Sequence, residues 1–469
     1  MLDVSEEVGV RSKAVVAGLV WILVGSAVLR AESPAAPASG ELPAHPGMAG
    51  VEAPPLAELL SLAERRSPRL VALAARLAAA EERVGPEGAL ANPMVEARLQ
   101  NVGLGRWSLG DEEMSMLELG VRQTLPWPGK RQARRDLARA ETATVAAELA
   151  SARRELVREV TTLVARLYAL DRERGVLEEA HELLELLAAT VTARYGAGEG
   201  EQEAVLKVQL ELAMHDERRI EVAGERAEVE ADLRGLLDLP AGSPIGVVTT
   251  LPPVSPLPEG VARLAAERAA EVAVRRAMET TSERRLATER NELRPDFTAA
   301  GGVGLRGAND PVLLLGLGIE LPFWRKSRQE PRIRAAEHDL DAVRAERREA
   351  EISARAAGER LLGSWWRLDG QLRLSSEAIL PQSSAAFDAA RTAYLHGQGD
   401  FSTVVEDYGR WLDARVAQAR LEAERLAVRV QIAALLGEEG DAASPSPTSP
   451  AASPTGSGAN RSLVEGLVP

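Results

Sequence analysis

The sequence contains no cysteine. That excludes disulfides and every thiol-based metal site, and it excludes lipid attachment at an N-terminal Cys. Aromatic residues make up only 3% of the chain, too few for an ordinary globular core. After the first thirty residues no apolar run reaches the roughly 20 residues that a membrane-spanning helix needs. A mature chain of this sequence that crosses a membrane must therefore do so as a β-barrel. No catalytic set is present: there is no nucleophile elbow, no phosphate loop and no His–carboxylate spacing suited to a metal. The five histidines, His45, His181, His215, His338 and His396, are scattered along the chain and form no ligand cluster in the sequence. No enzyme activity, cofactor or metal is expected. The formal net charge of −14 argues against nucleic acid as a partner.

What is present is export-like at one end and low in complexity at the other. Arg11 and Lys13 precede an apolar run from Ala14 to Leu29, and small residues follow, with Ala27 or Ala31 as candidate cleavage positions. Residues 1–31 are expected to be a signal peptide and 32–55 a flexible lead. The stretch 238–260 carries six prolines and reads as a connector. From 438 to 469 the chain is mostly Ala, Ser, Pro, Thr and Gly, a composition that cannot build a core.

Between these segments the chain repeats itself. Leu125-Pro126-Trp127 recurs as Leu321-Pro322-Phe323 at an offset of 196, and Lys130 recurs as Lys326. Tyr195, Gly198 and Gly200 recur as Tyr394, Gly397 and Gly399 at an offset of 199, and Leu236-Leu237 recurs as Leu435-Leu436. The slip of three is about one helical turn. Two repeats, 56–237 and 261–437, each predict a helix, a strand pair, a very long helix, a sharp turn and a returning helix.

The strands show a period of two. Val95, Ala97 and Leu99 alternate with Glu96, Arg98 and Gln100, and over 115–125 Leu117, Leu119 and Val121 oppose Glu118, Gly120 and Arg122. Phe297, Ala299, Val303 and Leu305 form a third stripe, and Leu313, Leu315, Leu317, Ile319 and Leu321 a fourth. Such alternation suits a wall between lipid and lumen, and it also fits a half-buried soluble hairpin. Hairpin loops are expected at 101–114 and 306–310. The long helices show a period of seven. Leu149, Leu156, Leu163, Leu170, Leu177, Leu184 and Val191 follow one another without a miss, and Val405, Leu412, Ala419, Leu426 and Ala433 repeat the pattern on the return. Sustained heptads mean helices packed along their length. A helix from Lys130 to Tyr195 would run for roughly 100 Å. Pro381 should kink the second long helix or mark a junction.

The run Gly120-Val121-Arg122-Gln123-Thr124-Leu125-Pro126-Trp127-Pro128-Gly129-Lys130-Arg131 resembles the strand-to-helix junction of TolC-like outer-membrane efflux proteins, and so does 316–324 in the second repeat. Asn92-Pro93 and Arg294-Pro295-Asp296 resemble the family's approach to the first strand of each pair. Tyr195-x-x-Gly198 and Tyr394-x-x-Gly397 resemble its periplasmic turns. The resemblance covers about 56–437. The Pro-Trp-Pro-Gly-Lys form of the junction looks most like the branch serving heavy-metal efflux, such as CzcC. The resemblance implies a mixed α+β membrane protein. Each copy of a homotrimer would give four strands to a 12-stranded outer-membrane β-barrel, which continues into a long coiled-coil-like α-helical periplasmic barrel. It also implies partners: a periplasmic adaptor, an inner-membrane pump and outer-membrane lipid. A channel passing substrates outward is the function so implied. A non-transporting periplasmic adaptor or structural rod is the alternative, and an adaptor would lack the paired strands.

Three residue sets are candidates for the working parts. The turns with Tyr195, Gly198, Gly200, Tyr394, Gly397 and Gly399 serve either as plain helix reversals or, by the resemblance, as the docking surface for an adaptor as well. Glu406, with Asp407 and Asp400, matches the place where TolC-like channels carry acids near the entrance, so a trimer would present an acidic ring. A solvated helix face is the competing reading, and Thr403 and Lys207 depart from the family pattern. At the junctions, Pro126, Pro128 and Pro322 end the strands and preset the helix starts, with Gly129 between them. Trp127, Phe323 and Trp324 are either interfacial anchors of the barrel rim or simple packing.

Overall fold

The computed structural model describes residues 52–103, 109, 114–307 and 309–438. The expected signal segment, the lead before Glu52, the tail after Glu438 and most of the loop 101–114 lie outside the described residues. The chain divides into two units, Met1–Gly47 and Met48–Pro469, and everything described belongs to the second.

Helices α1 (Leu56–Arg66) and α2 (Pro68–Glu87) lead into strands β1 (Met94–Gln100) and β2 (Met116–Leu125). Helix α3 (Lys130–Gly196) follows, and α4 (Gln202–Leu236) returns alongside it. After the connector come α5 (Val261–Arg268), α6 (Ala270–Asn291), β3 (Asp296–Arg306) and β4 (Asn309–Glu320). Helices α7 (Gln329–Leu374), α8 (Leu380–Leu395) and α9 (Phe401–Leu436) complete the chain.

Helix α3 is 67 residues long, about 100 Å at 1.5 Å per residue. Its Ala, Leu, Glu and Arg content favours helix throughout. Of its seven-residue line, Leu156, Leu170 and Leu177 are buried in one core, with Leu149 and Leu163 packed at its edge, and Leu184 and Val191 are buried in a second core nearer the turn. On α9 the buried line is broader than the heptad reading: Val404, Tyr408, Ile432 and Leu436 join Ala419 and Leu426. Pro381 does not stand at a simple kink. A five-residue π turn, Ser375–Ile379, separates α7 from α8, and Pro381 occupies the first turn of α8. A widened turn absorbs the hydrogen bond that proline cannot make.

Midway along α3 the connector is held by buried charge. The Asp171 carboxylate accepts from Arg226 Nε at 2.7 Å and from Val248 N at 2.9 Å. Arg226 Nη2 donates to Gly246 O at 2.8 Å. Glu173, also buried, accepts from Arg218 Nη2 at 2.6 Å and Arg420 Nη2 at 2.7 Å. Each buried carboxylate thus has a guanidinium partner, which makes its burial tolerable.

The four strands form one antiparallel sheet in the order β1-β2-β3-β4, and β1 and β4 are its two edges. The register aligns the four apolar stripes. Ala97 pairs with Leu119, Leu119 with Val303, and Val303 with Leu313. Val95 pairs with Val121, Val121 with Gly301, and Gly301 with Leu315. Directly paired residues share a face, so all four stripes lie on one side of the sheet.

Candidate functional site: barrel wall, junctions and hairpin tips

The apolar face of the sheet is unprotected within the chain. Leu313, Leu315, Leu317 and Ile319 are exposed, Leu317 to 94%. The opposite face carries Glu96, Arg98, Glu118 and Arg122 on β1 and β2. Arg122 Nη2 lies 3.1 Å from Glu96 Oε2, and Arg98 Nη1 lies 3.6 Å from Glu118 Oε2. On β3 and β4 that same face sets Ala300, Gly302, Gly304, Gly316 and Gly318 beside Thr298, Val312 and Leu314. Gly302 is required by close approach: a Cβ there would stand 2.7 Å from Leu119 O and 2.9 Å from Gly120 Cα. The glycines on this face let neighbouring strands approach closely there.

The two junctions are built differently. Lys130, the first residue of α3, is 3% exposed. Its Nζ lies 3.0 Å from Asp296 Oδ2 and 3.1 Å from Glu292 Oε2, and Asp296 Oδ1 accepts from Trp127 N at 3.1 Å. The Trp127 ring stacks on Phe297 with centroids 5.9 Å apart, and the Arg294 guanidinium lies over the Trp127 ring at 5.7 Å. Pro126 and Pro128 bracket that ring, and Gly129 caps α3. In the second repeat Lys326 is exposed, and Phe323 and Trp324 stand free of the chain after Pro322. One junction therefore packs onto its own chain, while its counterpart offers its aromatics outward.

Both hairpin tips end their leading helix in the same way. Gly198 and Gly397 have φ of +78° and +72°. Gly198 N donates to Tyr195 O at 3.0 Å and Glu199 N to Arg194 O at 2.9 Å. Gly397 N donates to Tyr394 O at 3.0 Å and Gln398 N to Ala393 O at 2.9 Å. This pair of bonds around a left-handed residue is a Schellman cap, which glycine adopts without a Cβ penalty. Gly200 and Gly399 lie against the turn just closed; a Cβ at either would meet backbone nitrogen at 3.0 or 3.2 Å. The tyrosines are not equivalent. Tyr195 is 46% exposed and Tyr394 only 7%. Arg194 joins the two tips: its Nη1 donates to Tyr394 O at 2.7 Å and its guanidinium covers the Tyr394 ring.

Near these tips Glu406 and Asp407 share one cation. Arg410 Nη2 lies 2.5 Å from Glu406 Oε1 and Arg410 Nη1 lies 3.2 Å from Asp407 Oδ1. Glu406 is the more exposed of the two acids. Asp400 stands at the cap of α9 without bonding to its amides. Lys207 is engaged with Glu203 at 2.7 Å and Ser402 Oγ at 2.5 Å. Glu203, Asp400, Glu406 and Asp407 thus sit at this end of the hairpins beside Arg194, Lys207 and Arg410.

The outer membrane efflux protein family matches this sequence over residues 59–238 and again over 262–438. The chain belongs to the outer membrane efflux protein family. Its place is the outer membrane, with a helical periplasmic part. Membership sets it among efflux proteins and not in an enzyme class. The fold is shared with solved members at low identity. VceC, an outer membrane protein of Vibrio cholerae, aligns with a TM-score of 0.69 at 18% identity, covering 81% of this chain and 96% of its own. The outer-membrane channel OprN gives 0.70 at 18%, covering 82% and 90%. The MtrE channel of Neisseria gonorrhoeae, in its open state, gives 0.64 at 18%, covering 82% and 89%. No curated protein matches the sequence.

Within this efflux-protein fold the structure brings together residues that the sequence reading left apart. His181 and His215, read as scattered, stack with centroids 5.5 Å apart. Among the described residues no group of three or more His, Asp or Glu is placed to hold a metal. His215 is instead a buried link between helices. Its Nε2 faces Leu177 O at 2.8 Å and must donate to it. In the neutral ring Nδ1 then accepts, from Tyr408 Oη at 3.2 Å. Burial pushes the His215 pKa below its ordinary value and holds the Tyr408 hydroxyl far above its own. Tyr408 belongs to an aromatic cluster with Phe387 and Trp411, while Tyr394 packs on Phe401. The sequence carried a signal for this: Phe387, Tyr394, Phe401 and Tyr408 are spaced seven apart in a chain poor in aromatics.

Proposed function

We propose that three copies of this chain close a 12-stranded barrel and form a passive duct. The duct would carry substrates from an inner-membrane pump and a periplasmic adaptor to the exterior. The observation that carries this reading is the register of the sheet. All four apolar stripes share one face, yet four strands leave two edges, β1 and β4, unpaired. Open edges are not tolerated in hydrocarbon, so β4 of one copy must pair with β1 of the next. On this reading the repeats 56–237 and 261–437, joined by the connector 238–260, are the two staves that each copy adds to the wall. The exposed Phe323 and Trp324 then meet the neighbouring copy or the interfacial lipid. The tips at Tyr195, Gly198, Gly200, Tyr394, Gly397 and Gly399 receive the adaptor, and Glu406 with Asp407 and Asp400 biases the entrance toward cations. The fold has no nucleotide site in its sequence pattern, so the opening energy comes from a partner with higher affinity for the open state.

Reconstitution tests the reading. The purified protein should migrate as a detergent-resistant trimer that dissociates on heating, and it should give stepwise conductance in planar bilayers. Recovery as a soluble periplasmic monomer without conductance would overturn it.

A further inference from the structure

Between α3, α9 and the connector lies a groove of about 410 Å3. Its floor is apolar, with Val157, Val254, Leu426 and Val430; its charged lining residues are Arg153, Arg154, Glu64 and the pair Arg429–Glu438, 3.0 Å apart. Arg153 has a long contact to Glu64, Nε to Oε1 at 3.8 Å. Arg154 has no ion pair or hydrogen bond among the described residues. Its guanidinium lies at the end of α9, where a Cβ on Gly437 would stand 3.3 Å from Arg154 Cζ. A half-buried guanidinium without an acid, above an apolar floor, is matched by an occupant that is both acidic and apolar.

The chain itself supplies such a segment. Glu438 lies on the rim of the groove, and the sequence continues from there through a run rich in Ala, Ser, Pro, Thr and Gly. No Leu, Ile, Val or aromatic residue occurs in that run until Leu463-Val464-Glu465-Gly466-Leu467-Val468. The spacer of about 25 residues has a root-mean-square span of roughly 25–30 Å, and it starts at the groove. Tethering at that distance gives an effective concentration on the order of millimolar, so weak docking suffices. We propose that segment 463–468 binds this groove of its own chain. Leu463, Val464, Leu467 and Val468 cover the apolar floor, and the Glu465 carboxylate pairs with Arg154. The docked segment straps α3, α9 and the connector together.

The absence of cysteine makes the test direct. In the full chain, purified and assembled, the pair Ala150→Cys and Ser462→Cys should form an intrachain disulfide under mild oxidation. Ala150 lines the groove. The control pair places the first cysteine at Ala417, further along α9, where about 19 residues of helix put it roughly 29 Å from Leu436. The groove pair should close about tenfold faster than the control. Glu465→Arg, which changes no residue lining the groove, should remove that advantage, and Arg154→Glu in the same chain should restore it. Equal rates for the two pairs, or rates indifferent to both charge changes, would overturn the proposal. A disulfide joining two chains would also overturn it, by giving the groove to the tail of a neighbouring copy.

Discussion

Arginine at Leu317 puts the barrel assignment at risk most directly. Leu317 stands 94% exposed on β4, and its cross-strand partner is Ala299, too small to shield it. The stripe from Leu313 to Leu321 spans about eight steps, roughly 27 Å along a strand at about 3.4 Å per residue. At a tilt near 40° that is about 20 Å of height, close to the apolar band of about 25 Å that outer-membrane barrels present to lipid. Leu317 lies at the middle of the stripe. An arginine there should therefore cost roughly 2–4 kcal/mol per chain, the penalty found at mid-bilayer. Gly318 is the matched control. It faces the other way, and a Cβ on it would stand 3.6 Å from Thr298 Cβ, an ordinary contact. Gly318→Arg has both room and water. Leu317→Arg should thus fold into liposomes about 30-fold to 1000-fold less favourably than Gly318→Arg, at 1.4 kcal/mol per factor of ten. Urea titration of membrane-inserted protein, scored by heat-modifiable migration, measures the difference. Equal penalties, or a larger one at Gly318, would show that the apolar face does not meet lipid.

Gly198→Val with Gly397→Val should cost about 1–2 kcal/mol at each tip, because the neighbourhood of Gly198 is empty and only the positive φ resists a side chain. Efflux should be lost while trimers still assemble, and efflux by a well-assembled double variant would make the tips merely structural. Glu406→Gln should lower cation preference in planar bilayers, with an effect that shrinks as salt shortens the screening length. Unchanged reversal potentials at low salt would return Glu406 to a solvated face. Lys130→Met leaves Asp296 without its cation, while Glu292 keeps Arg134 at 3.0 Å; Asp296 is partly exposed, so a loss below the roughly 3–5 kcal/mol of a fully buried pair is expected, read as a fall in the urea midpoint. The His215 link depends on the neutral ring. Its folded pKa lies below the ordinary 6.5, so its contribution is complete above that value and is lost as pH falls through the lowered one. His181, Asp216, Arg219 and Glu211 set the surrounding charge. Amide protection around Tyr408, taken relative to the intrinsic exchange rate at each pH, should fall as pH is lowered from about 7 to about 5, and Tyr408→Phe should flatten that dependence.

The sheet was legible because its pattern is a local one. A period of two in four segments fixes which residues share a face, and turn position fixes the register. The α3 line from Leu149 to Val191 was legible for the same reason, as a seven-residue period needs no tertiary information. The pairing of α8 with α9 was written in the aromatics, since Phe387 meets Tyr408 and Tyr394 meets Phe401 at equal distances from the turn. That signal becomes readable only when the two antiparallel helices are folded back on each other. His181 and His215 belong to different helices, and only the superposition of α3 on α4 brings their rings together. The asymmetry of the two junctions was likewise out of reach. Lys130 and Lys326 look equivalent in the repeat, but Lys130 meets Asp296 at the start of the next strand; among the described residues no strand follows β4, and of the two lysines only Lys130 has an ion pair.

The glycines of β3 and β4 bear on what such a duct can pass. Where Ala300, Gly302, Gly304, Gly316 and Gly318 line one face, little projects beyond the backbone, and Thr298, Val312 and Leu314 beside them carry no charge. In a ring of three copies, three such uncharged arcs would alternate with three arcs studded by the Glu96, Arg98, Glu118 and Arg122 side chains. The cross-section would then be lobed and not round. A solute would pass uncharged lobes lined mainly by small residues, and the self-paired charges between them would set the narrowest gap. Sieving by size would thus be decided on β1 and β2, and enlarging a residue on β3 or β4 would trim conductance for every solute alike.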